Sequence, residues 1–167
     1  MADHRVTKPP KWRTLPDLAL IKVVIDKIWN WVDFYEDYAS CRRQLAELTP
    51  GQRAILATGW CEAEVNNGGF WQFFVNSSGM LGPEALEGFR LVGMPKRADM
   101  LARAIALAGF DPYPRERAER AGRMPEDEDD LDPQWEKIGD TFFEVEQDQD
   151  ARLAAYIRAH PEEFFLP

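Results

Sequence analysis

Prolines and glycines punctuate this chain so regularly that its apolar residues have room mainly for helices. Pro16, Pro50, Pro83 and Pro95 each stand at the head of an apolar run, and Gly93 and Gly109 lie just past the ends of the last two. Proline suits a first helical turn, where its missing N–H has no partner anyway, and glycine suits the left-handed turn that follows a helix. Leu18, Ile21, Ile25, Ile28, Val32 and Tyr35 are spaced three and four apart, which predicts a first helix from Pro16 to about Tyr38. A short helix from Cys41 to Leu48 follows. Thr49-Pro50, a cap and a first-turn proline, opens a helix to about Val65, and Asn66-Asn67-Gly68-Gly69 interrupts it before an aromatic-rich helix from Phe70 to Val75. Further helices are expected over Pro83 to Val92 and Pro95 to Ala108. Two last stripes are Trp135, Ile138, Phe142, Val145 and Leu153, Tyr156, Ile157, His160. No run alternates with period two and no segment repeats. The expected fold class is all-α, a compact single-domain helical bundle of about seven to eight helices.

The chain has 167 residues, 45% of them apolar, with six Trp and ten Phe, which is enough to bury a sizeable core. Residues 1–14 read as a loose basic arm, and residues 15–167 as one helical domain with an exposed loop at 110–130. That loop passes from arginines to acids within a few residues, and part of it could be helical through local Arg–Glu pairs. The uncharged run Val65 to Pro83 contains four glycines, two serines, three asparagines and Gln72, so it is poorly suited to lipid. With no apolar signal core at the start, the chain is expected to be cytoplasmic, with no membrane partner. Cys41 and Cys61 are too few for a zinc site and read as free, buried thiols.

Charge is placed unevenly. Residues 126–150 hold twelve acids and one base, Lys137, a local charge of −11 in a chain whose total is −9. Such a surface repels nucleic acid, so no direct nucleic-acid binding is expected, and it attracts basic proteins. Asp132, Glu136, Asp140, Glu144 and Asp148 recur every four residues, a row rising about 6 Å per step on a helix. Asp127, Glu128, Asp129 and Asp130 extend it. A duplex strand carries a charge about every 3.4 Å, so one such row has roughly half that density. The row is either a phosphate-like surface or a solvated polar face.

The most distinctive text runs from Glu64 to Gly79. Glu64, Asn67, Gln72 and Asn76 can form a polar network across the break, packed by Phe70, Trp71, Phe73 and Phe74. Glu64, Asn66, Asn67, Gly68, Gly69, Phe70, Gln72 and Asn76 are thus either a core-defining turn or the lining of a small polar pocket. This segment resembles the signature of the bacterial DNA-mimic protein family, helical proteins largely of unknown function. The likeness extends through Pro83 to Gly109 and from about Leu131 to Phe165, including Tyr156-Ile157 and the His160-Pro-Glu-Glu-Phe ending. It implies a dimeric acidic protein that imitates DNA and sequesters a basic DNA-binding protein, such as a transcription factor or nucleoid protein.

Catalysis is not expected. His4 and His160 are the two histidines, and there is no phosphate loop, nucleophile elbow or zinc-binding histidine pair. Carboxylates beside Cys61 suppress its thiolate. The run Glu126 to Asp132 lacks the glycine and distal glutamate of a calcium loop, so no metal and no cofactor is expected. The competing reading is an adaptor or immunity-type protein that binds one partner without imitating DNA.

Overall fold

Thr49 and Gln52 close a capping box at the head of the longest helix, Pro50–Val75, with Pro50 in its first turn. The chain is described here from a computed structural model over residues 3–127, 130 and 132–167. Among these residues there are eight α-helices: α1 (Asp17–Ile28), α2 (Tyr38–Leu45), α3 (Pro50–Val75), α4 (Gly82–Leu91), α5 (Pro95–Leu107), α6 (Arg117–Arg123), α7 (Gln134–Glu144) and α8 (Gln149–Ala159). Short 3-10 turns cover Trp12–Thr14, Ser77–Leu81 and Pro161–Glu163. No strand forms among the described residues beyond a single bridge between Val6 and Phe165. The fold is all-α, as the spacing predicts. No described helix is long and apolar enough to cross a membrane.

The central helix is α3, which α1, α4, α6 and α7 all touch, while α8 lies on α1 and α5 bridges α4 and α7. Its Leu56, Ala57, Cys61, Phe73 and Phe74 are fully buried. Burying each such Phe stabilises the fold by about 1.5–3 kcal/mol. Edge-on aromatic contacts tie the elements together. Phe74 meets Phe110 at 5.2 Å and Trp135 at 5.9 Å, and Phe142 meets Phe70 at 5.3 Å and Phe89 at 5.6 Å. Gly88 lets α4 approach α3 closely, because a β-carbon there would stand 3.0 Å from the Ala54 Cα.

Four expectations are corrected. The first helix stops at Ile28, ten residues short of Tyr38, and its buried face is Leu20, Ile21, Val24 and Ile28. Leu18 is 65% exposed and Tyr35 91% exposed. Trp29 still has helical angles as the C-cap, and other partners hold the residues after it. Trp29 stacks on Trp60 at 4.6 Å, Gln44 accepts the Asp33 N–H at 2.8 Å, and Asp37 caps α2 through the Ser40 N–H at 2.8 Å. That cap starts α2 at Tyr38 and not at Cys41.

The N-terminal residues are not a loose arm. The Val6 N–H donates to the Phe164 carbonyl at 2.9 Å, and the Leu166 N–H donates to Val6 at 2.9 Å. Trp12 is buried against Phe165 at 5.0 Å, and His4 is buried against Trp31 at 4.1 Å. The apolar area of two aromatic rings outweighs the basic composition around them.

Nor is 110–130 simply an exposed loop. Phe110, Pro114, Arg120 and Met124 are buried, and α6 occupies its middle. The partial helix considered for this segment is therefore present, and it faces the end of α3.

Candidate functional site

Gly68 (φ −160°, ψ 36°) and Gly69 (φ 66°, ψ −172°) leave helical geometry inside α3 and divide it into two arms. Gly69 sits where side chains are strained, which is why the break falls on glycine. Glu64 on the first arm binds the second arm across this kink. Its carboxylate accepts Gln72 Nε2 at 2.7 Å, Asn76 Nδ2 at 2.8 Å and Ser78 Oγ at 2.5 Å. The polar network expected around Glu64 thus contains Gln72 and Asn76. Asn66 and Asn67 are exposed and not among its described bonds, while Ser78 joins it from the next turn. Phe70, Phe73 and Phe74 are buried beneath, and the indole of half-buried Trp71 donates to the Pro125 carbonyl at 3.1 Å.

The end of α3 is held by a residue that sequence spacing does not single out. Arg120 is fully buried. Its Nε donates to the Phe74 carbonyl at 3.0 Å, Nη2 to Asn76 at 2.8 Å and Ser77 at 3.4 Å, and Nη1 to Arg115 at 2.5 Å and Pro114 at 3.3 Å. Three of these carbonyls lie at the end of α3, where a helix leaves its last acceptors short of backbone donors, and Asn76 also accepts the Gly79 N–H at 3.2 Å. Burial pulls the Arg120 guanidinium below its ordinary pKa.

The acidic row splits at the end of α7. Asp127, Asp130, Asp132, Glu136, Asp140, Glu144 and Asp148 are all exposed. Glu128 and Asp129 fall outside the described residues. Asp132 stands two residues before α7, its carboxylate accepting the Gln134 N–H at 2.8 Å. From Asp132 to Glu144 the row spans about 18 Å along the helix axis. Asp148 belongs to the next helix and pairs with Arg152 at 2.7 Å, a hydrogen bond that lowers its pKa. Glu146, at φ 50°, turns inward and accepts the Lys96 N–H at 3.1 Å and the Arg97 N–H at 3.0 Å, capping α5 from a distance.

A second inward acid is Glu62, 2.5 Å from the buried Arg97, whose guanidinium lies over the Phe142 ring at 5.1 Å. Burial pushes the Glu62 carboxyl up to about 7, and the Arg97 charge offsets only part of that. Both thiols are free and buried; burial raises Cys41 to about 12 and Cys61 well above the ordinary thiol range, so neither is a ready nucleophile. Among the described residues, His160, Glu162 and Glu163 bring ligand-type atoms within 4.8 Å of one another, but Glu163 already accepts the Gly51 N–H and the Tyr156 hydroxyl, the latter at 2.9 Å.

The kink and the acidic row meet. A groove of about 580 Å³ opens between them, with Gly68, Gly69 and Trp71 on one side and Asp132, Glu136 and Asp140 on the other. Residues 46–160 match the profile of the DMP19-like protein family. The chain belongs to that family. DMP19-like proteins are a DNA-mimic family, and the matched region runs from before α3 to the end of α8, taking in both walls of the groove. No curated protein and no solved structure gave a match.

Proposed function

We propose that this DMP19-like protein is a cytoplasmic, non-catalytic DNA mimic that sequesters a basic DNA-binding protein, such as a transcription factor or nucleoid protein. The observation that carries this reading is the exposure of Asp132, Glu136, Asp140 and Glu144 along α7, extended by Asp127 and Asp130. Glu128, Asp129 and Asp148 complete the proposed surface. Four carboxylates spaced like this present a strip of negative potential to a cationic DNA-binding face. A single row carries about half the linear charge of one duplex strand. A homodimer would bring a second row, which is why we include self-association in the reading. Glu64, Gln72 and Asn76 act as the scaffold that holds the kink beside this strip.

The test is capture from host lysate by the immobilised protein, at low and high salt, with and without excess duplex DNA. The reading expects a basic DNA-binding protein that both salt and duplex displace. A partner that resists both would overturn it in favour of an adaptor or immunity-type surface. Sedimentation of the purified protein tests the homodimer separately.

A further inference from the structure

We propose that the groove between the α3 kink and α7 is an arginine-selective subsite, which takes one arginine side chain of the basic partner. This deepens the DNA-mimic reading and rests on it for the partner's class. Two independent features of the groove favour a planar cation. Asp132, Glu136 and Asp140 lie along its α7 wall, exposed and one helical turn apart. Trp71 and Phe143 supply aromatic surface, and the Trp71 indole is fixed by its bond to Pro125.

Carboxylate acceptors beside an aromatic face suit guanidinium better than ammonium. Guanidinium is planar, stacks on rings and donates in a fork, whereas ammonium is a compact, strongly hydrated point charge. There is room for it. A β-carbon added at Gly69 or Gly139 would meet nothing within 4 Å, so both glycines leave the groove open. DNA itself offers phosphate oxygens and base edges to an arginine. The groove offers carboxylate oxygens and ring faces in their place, at one fixed point along the acidic strip.

The probes are two peptides of equal charge, acetyl-Arg-Ala-Arg-Ala-Arg-amide and its lysine counterpart, titrated into the full chain while the Trp71 indole N–H is followed by NMR. The arginine peptide should bind on the order of tenfold more tightly and move the Trp71 signal. Gly139→Leu fills the groove without changing any charge, and leucine is a better helix former than glycine, so α7 is kept. That variant should lose the arginine preference and keep the weaker charge-driven binding common to both peptides. Equal affinities for the two peptides, or an arginine preference that survives Gly139→Leu, would overturn the proposal. Either result leaves lysate capture and duplex competition untouched, so failure of the subsite and failure of DNA mimicry are distinguishable.

Discussion

The side-chain amide of Gln72 donates 2.7 Å to the carboxylate of Glu64, joining two arms of one helix across a glycine kink. Asn76 and Ser78 donate to the same carboxylate, so Glu64 is the common acceptor of three donors. Glu64→Gln replaces one of its two oxygens with a donor, which must then face donors. Hydrogen bonds to a charged group contribute about 1.5–3 kcal/mol each, and a loss of about 2–3 kcal/mol of unfolding free energy is expected. Urea denaturation should show a lower midpoint with an unchanged slope. An unchanged midpoint would mean that the kink holds without Glu64.

Arg120 is a second device at the same helix. Its guanidinium serves five carbonyls, three of them from residues 74, 76 and 77 at the end of α3. Arg120→Met keeps most of the volume and removes every donor. Removing these donors from a buried site should cost about 3–5 kcal/mol, and Arg120→Lys, with fewer donors on a point charge, should recover only part of it. Thermal unfolding of the two variants checks the order wild type, Lys, Met.

Glu62 gives the stability curve a pH dependence of unusual sign. Its carboxyl is raised to about 7 in the folded chain, chiefly by burial, from an ordinary value of 4.5. The folded state therefore holds this proton more tightly than the unfolded state does. Between pH 4.5 and 7 the unfolded chain binds fewer protons at this site, so its contribution to stability falls as pH rises and levels off above about 7. Glu62→Gln keeps an acceptor for Arg97 and removes the titration. The difference in unfolding free energy between variant and wild type should grow from pH 4.5 to 7 in favour of the variant. A flat difference would place the Glu62 carboxyl in its ordinary range.

Local devices were legible in the sequence, and long-range ones were not. Thr49-Pro50, Gly93 and Gly109 mark helix ends within a few residues, because caps and turn residues act on their immediate neighbours. The Glu64 network was legible because Glu64, Gly68, Gln72 and Asn76 recur every four residues. Ser78 breaks that spacing, and it enters only because the turn after α3 folds back. Arg120 sits among Arg115, Arg117 and Arg123, where composition suggests a solvated face; its burial depends on carbonyls more than forty residues away. Beyond α1, the Asp33 N–H goes to the Gln44 side chain, a contact that apolar periodicity cannot carry. Likewise the α7 row was legible by its spacing, but nothing local indicated that the kink of α3 lies across a groove from it.

The α7 row separates stability from binding, and that separation gives the sharpest test of its role. Asp132→Asn, Glu136→Gln, Asp140→Asn and Glu144→Gln together leave every side chain's size nearly unchanged. Asn at 132 still has an oxygen for the Gln134 N–H. Three like-charge steps along the helix are removed, each worth a few tenths of a kcal/mol, so stability should rise by up to about 1 kcal/mol. Loss of the favourable Asp132 and Glu136 charges near the helix start offsets part of that, and loss of Glu144 near its end adds to it. Helicity by circular dichroism should be unchanged. If the row imitates phosphates, affinity for the captured partner should nevertheless drop on the order of tenfold or more at low salt, and its salt dependence should flatten. A solvated face kept for solubility predicts the opposite pattern: the same small gain in stability, a chain that precipitates more readily, and partner affinity that does not move.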